Sequence, residues 1–214
     1  MGLATELQEH YDNFHTNGPP KVTAIIREVT KDHVSSFDFS STIKVGDTLP
    51  PFSLSDALGK ELTSQELLSK GPLLLTFYRG EWCPFCNLAL SALQKNLPAI
   101  QAKGVTLIAI TPELPNGTLT MTEKHELKFP VLTDLKSKYA KDLGITWKQP
   151  KVMMEVFDNF GNDLDKKNGD DSHLLPVPAT LLVDREGVVR NLFIDPDYTK
   201  RLEPATALEW IDAL

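Results

Sequence analysis

The two cysteines of the chain, Cys83 and Cys86, stand three positions apart in the stretch Trp82-Cys-Pro-Phe-Cys86. Pro84 predicts the start of a helix, because proline is favoured at the first helical position. Cys83 is then the N-cap residue, where its sulfur can accept N–H bonds from the first turn and feels the positive end of the helix dipole. Cysteines in such a setting have pKa values of roughly 3.5–7.5 instead of about 8.5. Cys86 lies one turn on along the same face, so the pattern predicts an attacking thiolate beside a resolving thiol.

Arg79 stands four residues before Cys83, where it can place positive charge near the sulfur or near a leaving oxyanion. The cysteine pair has two other possible roles, a structural zinc site and inert packing. A structural zinc site needs four ligands, but the histidines downstream, His125 and His173, stand alone. Inert buried cysteines are common, but these two flank a proline behind a tryptophan. The pair is therefore interpreted as a redox site, and the sequence predicts no metal and no organic cofactor.

Two apolar runs flank the cysteine pair, at residues 73–77 and 105–110. Continuous apolar runs of this length are typical of strands that are buried on both faces of a parallel sheet. Between them, apolar residues at helical spacing predict an amphipathic helix: Cys86, Leu90, Leu93, Leu97 and Ile100. Strand, helix and strand predict a right-handed crossover. The cysteines then lie at the carboxyl end of a central strand, where ligands and chemistry collect in open α/β sheets.

The remaining segments complete one α/β domain. Residues 1–44 show helical spacing on both sides of Pro19-Pro20, which predicts a helical arm that either caps the core or forms part of a homodimer interface. In the domain 45–214, the segment Asp184-Arg-Glu-Gly187 indicates a hairpin near the C-terminus, before a last helix from about residue 203. Residues 149–176 are predicted to be irregular.

Charge and hydropathy exclude several functions. A formal charge of −7 and a pI near 5.2 argue against a nucleic-acid or anionic-membrane surface. The longest apolar runs are too short to span a bilayer, and the N-terminus has no basic segment followed by an apolar core, so we expect no secretory signal. Two close cysteines in an unexported protein favour catalysis in a reducing compartment. The protein is therefore predicted to be cytoplasmic.

Two stretches carry a resemblance to a known fold. The stretch Phe77-Tyr-Arg-Gly-Glu-Trp-Cys-Pro-Phe-Cys86 resembles the active site of the thioredoxin fold, in which a strand is followed by a Trp-Cys-x-x-Cys turn and a helix. The stretch Val177-Pro178-Ala179-Thr180 resembles the cis-proline loop that packs against the disulfide in that fold. The resemblance implies a Cys83–Cys86 redox disulfide, with Trp82, Pro84, Pro178 and Thr180 as supporting residues.

From Val45-Gly-Asp-Thr-Leu-Pro-Pro-Phe-Ser-Leu to the last helix, the chain resembles the alkyl hydroperoxide reductase and thiol-specific antioxidant family, in its peroxiredoxin-like branch with a CxxC site. The implied structure is a thioredoxin fold with peroxiredoxin-type additions: a central mixed sheet flanked by helices, with an N-terminal helical arm. The chain departs from the peroxiredoxin pattern Pro-x-x-x-Thr/Ser-x-x-Cys, because Arg79 replaces the proline and Cys83 the hydroxyl residue. In that alignment Cys86 reacts with peroxide, whereas a thioredoxin alignment makes Cys83 the attacker.

The resemblance implies a thiol-dependent peroxidase that reduces hydrogen peroxide or organic hydroperoxides and is itself reduced by a thioredoxin- or glutathione-type donor. One alternative is a thioredoxin-like thiol–disulfide oxidoreductase, which the Trp-Cys-Pro-Phe-Cys sequence favours. The other alternative is a non-enzymatic redox-sensing or interaction protein with the arm as partner surface.

Overall fold

The computed structural model describes residues 2–214. In chain order the helices are α1 (Leu3–Asn17), α2 (Pro20–Ser36), α3 (Ser64–Leu68), α4 (Pro84–Ala102), α5 (Pro115–Lys124), α6 (Lys138–Asp142), α7 (Lys151–Asn159), α8 (Leu164–Asn168) and α9 (Pro204–Asp212). The strands are β1 (Ser53–Asp56), β2 (Glu61–Thr63), β3 (Leu73–Phe77), β4 (Thr106–Thr111), β5 (Val131–Thr133), β6 (Thr146–Lys148), β7 (Leu174–Pro176), β8 (Ala179–Val183) and β9 (Val189–Ile194).

The centre of the main sheet is β3, in which every residue is buried. It pairs in parallel with β4, with Leu75 opposite Ile108, and antiparallel with β8, with Leu75 opposite Leu181. Burial on both faces explains why the sequence of this strand is continuously apolar rather than alternating. The strand order β2-β1-β5-β4-β3-β8-β9 contains both orientations, which confirms the predicted mixed sheet.

Helices cover the sheet on both faces. On one face, α4, α9 and α1 pack over side chains such as Leu74 and Leu107; on the other, α6 packs over alternate side chains of the same strands, such as Leu75 and Ile108. The predicted crossover β3–α4–β4 is confirmed, and so is the hairpin between β8 and β9. Because β3 is central and ends where α4 begins, this layered core positions the cysteine pair.

The predicted N-terminal helical arm consists of α1 and α2 and covers the start of α4. Leu3 and Leu7 of α1 are buried in the same core cluster as Phe85. The first backbone N–H groups of α1, at Leu3 and Ala4, donate to the carboxylate of Glu203 over 3.2 and 2.6 Å. A carboxylate at a helix N-terminus satisfies unpaired N–H groups and complements the helix dipole. The arm therefore caps the core, whereas a homodimer stays a prediction.

The prediction of irregular structure over residues 149–176 is wrong. This segment contains α7, α8 and β7. Its helix α7 buries a face that includes Met153, Val156 and Phe157 against α2. These residues have helical spacing, but the polar, turn-rich stretch that follows them is typical of irregular structure. The prediction followed the composition of that stretch instead of the spacing. Within residues 2–214 no helix combines the length and the apolar character that crossing a membrane requires.

Candidate active site

The loop between β3 and α4 carries the cysteine pair. Pro84 is the first residue of α4 and Cys83 is its N-cap, with extended backbone angles of φ −94° and ψ 106°. Gly80 allows this loop to pass close to its neighbours, because a Cβ at that position would lie 2.2 Å from Nε1 of Trp82 and 2.8 Å from the carboxyl carbon of Glu113. The sequence therefore places the sulfurs at the carboxyl end of the central strand.

The two sulfurs lie 2.7 Å apart, and both side chains are free thiols that are 0% exposed. The expected capping of α4 by the sulfur of Cys83 is wrong: within residues 2–214 it accepts no N–H group of the helix. The reason is that Pro84 has no N–H group, while the N–H groups of Cys86 and Asn87 donate to the carbonyl oxygen of Cys83 over 3.0 and 3.1 Å. The sulfur instead faces its partner sulfur and an arginine.

Each sulfur has an arginine of its own. Nη2 of Arg79 donates to Sγ of Cys83 over 3.1 Å, and Nη2 of Arg201 donates to Sγ of Cys86 over 3.1 Å. Arg79 is 5% exposed and its guanidinium carbon lies 4.5 Å from the ring centre of Tyr198. Arg201 is held in place because its Nη1 donates to the carbonyl oxygen of Tyr198 over 2.7 Å. One buried and one half-buried guanidinium group therefore converge on two buried sulfurs.

The sulfur pair shares one negative charge. Burial raises the pKa of both thiols, because a low-dielectric site disfavours the charged form. At Cys86, the hydrogen bond between the two sulfurs and the charges of Arg201 and Arg79 outweigh burial and hold the pKa well below its usual value. At Cys83, burial and the hydrogen bond to Cys86 raise the pKa although Arg79 opposes them. The contact with Arg201 therefore favours a thiolate at Cys86 beside a neutral thiol at Cys83 in the reduced pair.

Arg79 remains charged in this environment. Burial lowers its pKa, but the adjacent sulfurs of Cys83 and Cys86 outweigh that effect and raise the pKa above its usual value. The guanidinium also lies 5.0 Å from the ring centre of Trp82, within the range of a cation–π contact. The site thus holds a fixed positive charge next to the sulfurs at any physiological pH. Within residues 2–214 no cluster of three or more His, Cys, Asp or Glu side chains could hold a metal ion.

The supporting residues named from the resemblance lie at different distances from the sulfurs. Trp82 and Pro84 flank Cys83 directly. Pro178 lies next to them at the same edge of the sheet, because Ala179 pairs with Phe77 at the end of β3. Thr180 points into the sheet, where its hydroxyl oxygen lies 3.3 Å from that of Thr76.

The prediction of a cis bond before Pro178 is wrong, because all peptide bonds within residues 2–214 are trans. The chain runs extended through this point from β7 into β8. The N–H of Val177 donates to the carbonyl of Ile145 over 2.9 Å, and the carbonyl of Pro178 accepts the N–H of Asp195 over 3.0 Å. With a trans bond before Pro178, the chain stays extended and both of these backbone hydrogen bonds form.

Sequence reasoning missed three residues of the site: Arg201, Tyr198 and Glu113. The first two lie on the segment between β9 and α9, and Arg201 is 115 residues from the sulfur that it contacts. No spacing pattern can indicate a contact over that distance. Glu113 follows β4, the strand next to β3, and the carboxyl ends of adjacent parallel strands meet at one edge of the sheet. That topological argument could have found Glu113.

Glu113 is a buried carboxyl group beside the cysteine loop. Its side chain is 0% exposed, and its Oε2 accepts the N–H of Glu81 over 2.7 Å. Its Oε1 has no hydrogen-bond partner within residues 2–214. Burial raises the pKa of Glu113 to about 7, although the N–H of Glu81 opposes this effect. The group therefore exchanges its proton near neutral pH.

Replacing Glu113 by glutamine is expected to change how stability depends on pH. The unfolded carboxyl group ionises near 4.5 and the folded one near 7, so raising the pH from 5 to 8 destabilises the wild-type fold. The free energy of unfolding of Glu113→Gln should therefore gain about 2–3 kcal/mol relative to wild type over that range. Urea unfolding at pH 5, 6.5 and 8 measures this, with the exposed Glu123→Gln as control. A constant difference across the three pH values would contradict the assignment.

Comparison with known proteins identifies the family. Residues 45–192 match the AhpC/TSA family. The chain belongs to the AhpC/TSA family. Peroxiredoxin Bcp of Escherichia coli (strain K12) is 24% identical over 153 residues, which are 72% of this chain and 86% of that protein. The thiol-disulfide oxidoreductase ResA of Bacillus cereus (strain ATCC 10987 / NRS 248) is 23% identical over 154 residues, 72% of this chain and 71% of that protein.

A solved structure shows that the fold is shared. The crystal structure of peroxidoxin BcpB from Mycobacterium tuberculosis superposes with a TM-score of 0.63 at 20% identity, over 80% of this chain and 98% of that chain. The thioredoxin fold with peroxiredoxin-type additions is thereby confirmed. The part of the chain that matches the AhpC/TSA family begins at residue 45 and ends at residue 192, so the arm and Arg201 lie outside it.

Proposed function

We propose that this AhpC/TSA protein is a thiol-dependent peroxidase in which Cys86 attacks the peroxide and Cys83 resolves the product. The observation that carries the proposal is the pair of arginine contacts, each of 3.1 Å, on two sulfurs that are 2.7 Å apart. A thiolate is the reactive form of cysteine, and adjacent guanidinium groups favour it. The charge distribution and the peroxiredoxin alignment favour the same residue, Cys86.

The proposed reaction has three steps. The Cys86 thiolate attacks the terminal peroxide oxygen, the O–O bond breaks, and the leaving alkoxide or hydroxide takes a proton, so that Cys86 becomes a sulfenic acid. Cys83 then gives up its proton and its sulfur attacks the sulfenic sulfur; the hydroxyl group leaves with that proton as water, and the Cys83–Cys86 disulfide forms. An external dithiol of the thioredoxin or glutathione type reduces that disulfide by thiol–disulfide exchange.

The arginines serve this reaction in two ways. Arg201 and Arg79 stabilise the thiolate before the attack, and the charge of Arg79 beside Cys83 can also stabilise the charge that develops on the leaving oxygen. Preorganised donors in a buried site act strongly because little water screens them. We assign residues 45–214 as the catalytic domain and residues 1–44 as an extension that covers it. Cytoplasmic localisation stays a prediction.

Stopped-flow mixing of the reduced protein with a slight excess of hydrogen peroxide or cumene hydroperoxide tests the function. The fluorescence of Trp82, which flanks Cys83, should change in one fast phase as both thiols are lost, because oxidation removes the thiolate from its environment. We expect a second-order rate constant at least about 10³ times that of a free thiol, in keeping with an activated cysteine nucleophile. Consumption of both peroxides at the free-thiol rate would contradict the proposal.

A second candidate function is thiol–disulfide exchange with other proteins. The Trp82-Cys-Pro-Phe-Cys86 turn between β3 and α4 and the similarity to ResA favour it. Both sulfurs are fully buried, so any thiol–disulfide exchange, including the reduction step of the peroxidase cycle, requires the cysteine loop to open. Reduction of insulin at a rate comparable to a thioredoxin, without peroxide consumption, would favour this candidate. Inactivity in both assays would instead favour a non-enzymatic redox sensor.

A further inference from the structure

The guanidinium of Arg79 is buried beside the sulfurs but has few polar contacts of its own. Its Nη2 donates to Sγ of Cys83 over 3.1 Å, whereas its Nε has no hydrogen-bond partner within residues 2–214. It also forms no ion pair with a carboxylate in that part of the chain. A single hydrogen bond does not fix the orientation of a planar group with several N–H donors. Other contacts must therefore hold this charge against the sulfurs.

Two aromatic rings hold Arg79. Its guanidinium carbon lies 5.0 Å from the ring centre of Trp82 and 4.5 Å from that of Tyr198. Both distances are within the range of a cation–π contact, which is stronger where little water surrounds the charge. Trp82 belongs to the same loop as Arg79, so its ring cannot fix that loop relative to the sheet. Tyr198 lies on the segment between β9 and α9 and is therefore the ring that fixes Arg79 relative to the rest of the site.

The same residue holds the second arginine. The carbonyl oxygen of Tyr198 accepts a hydrogen bond from Nη1 of Arg201 over 2.7 Å, and the carbonyl oxygen of Lys200 accepts one from the same atom over 2.6 Å. Nη2 of Arg201 is then directed at Sγ of Cys86, 3.1 Å away. Tyr198 thus contacts both guanidinium groups, one through its ring and one through its backbone.

Tyr198 is itself held by the turn in which it lies. Oδ1 of Asp197 accepts the N–H and the hydroxyl of Thr199 over 3.0 and 2.7 Å, and the N–H of Lys200 donates to the carbonyl oxygen of Asp197 over 3.0 Å. An aspartate side chain that bonds the backbone two residues on is a common way to close a turn. The ring of Tyr198 also makes an edge contact with Phe85 in the first turn of α4, with the ring centres 5.3 Å apart. The ring and the carbonyl of Tyr198 are therefore held in fixed directions toward the two arginines.

We propose that Tyr198 is a positioning residue of the sulfur pair: its ring keeps the charge of Arg79 on Cys83, while its carbonyl oxygen directs the charge of Arg201 at Cys86. The inference rests on the proposed peroxidase function and adds a residue that acts through the two arginines and not on the peroxide itself. Without the ring, Arg79 is free to turn away from the sulfurs, so the pair loses part of the positive charge that favours the thiolate. A ring that only filled space between the arm and α4 would affect stability and leave the thiolate unchanged.

The first test follows the ultraviolet absorbance of thiolate near 240 nm against pH in the reduced protein and does not depend on activity. Tyr198→Met and Tyr198→Leu both remove the ring, so either variant reports if the other does not fold, whereas Tyr198→Phe retains the ring. We expect the titration midpoint to rise by about one pH unit in both variants without the ring, which is about a 10-fold loss of thiolate below the midpoint, and by less than about half of that in Tyr198→Phe. Tyr11→Leu, which removes a half-buried ring of α1 from the same core cluster, should match the wild-type midpoint. An unchanged midpoint in the variants without the ring, or an equal shift in Tyr11→Leu, would overturn the inference.

The second test is a double-mutant cycle with Arg79 on the second-order rate constant for hydrogen peroxide, measured above the titration midpoint of every variant. We expect Tyr198→Met to lose about 10-fold and Arg79→Met about 100-fold, because a donor near the developing charge is displaced or removed. If the ring acts through Arg79, the double variant should lose no more than about 2-fold beyond Arg79→Met. Losses that multiply in the double variant would overturn the inference. Failure of the wild type to consume peroxide would contradict the proposed function, while the thiolate titration would still decide the role of Tyr198.

Discussion

The Cys86→Ser variant is expected to consume peroxide at least about 10³ times more slowly than the wild type, because the residue that holds the negative charge of the pair is removed. The remaining thiol, Cys83, has a raised pKa and supplies little thiolate at neutral pH. Stopped-flow measurement of peroxide loss under single-turnover conditions gives the rate directly, without a contribution from the reductant.

The matched variant Cys83→Ser should behave differently. It retains Arg201 beside the sulfur of Cys86, so the first attack should continue within about 10-fold of the wild-type rate and stop after one turnover at the sulfenic acid. Dimedone labelling followed by mass spectrometry should find the adduct on Cys86. The opposite pattern, in which Cys83 carries the adduct in Cys86→Ser while Cys83→Ser is inactive, would assign the attack to the other sulfur.

Replacing Arg201 by methionine is expected to raise the pKa of Cys86. The guanidinium donates a hydrogen bond to this sulfur over 3.1 Å, and a hydrogen bond to a charged group contributes about 1.5–3 kcal/mol. That range corresponds to about one to two pKa units. Because the thiolate is then protonated at a higher pH, the midpoint of the pH–rate profile for peroxide consumption should move up by about one to two pH units, with the full rate recovered above it.

The pH profile separates this effect from simple misfolding. Lys200→Met removes the same charge from the neighbouring exposed position and should leave the profile unchanged. Arg201→Lys retains a positive charge and should shift the profile by less than Arg201→Met. If Arg201→Met lowers the rate equally at every pH, or leaves it unchanged, the arginine does not stabilise the thiolate.

Local patterns were sufficient to predict the centre of the fold. The apolar run at 73–77 and the spacing that follows Pro84 depend only on neighbouring residues, and both predictions are confirmed by β3 and α4. A central strand that is buried on both faces gives a continuous apolar run, which is easily recognised in the sequence. The same reasoning placed Arg79 close enough to contact Cys83, because the two residues are separated by a single short loop.

Long-range packing decided what could not be predicted. Arg201 contacts Cys86 because the segment between β9 and α9 returns the chain to the end of β3. The residues next to Arg201 in the sequence form no pattern that indicates this contact. Helix α7 packs against α2, and it lies in a segment that was predicted to be irregular. The backbone before Pro178 is set by pairing with Ile145 and Asp195, again from distant segments.

The ultraviolet absorbance of thiolate near 240 nm, followed against pH in the reduced wild type and in both serine variants, tests the central claim most directly. The account predicts one thiolate at pH 7 in the wild type, retained in Cys83→Ser and absent in Cys86→Ser until the pH passes the ordinary cysteine value of about 8.5. If the wild type contains no thiolate below about pH 8, or if the absorbance at pH 7 survives in Cys86→Ser and disappears in Cys83→Ser, then Cys86 does not hold the charge of the pair.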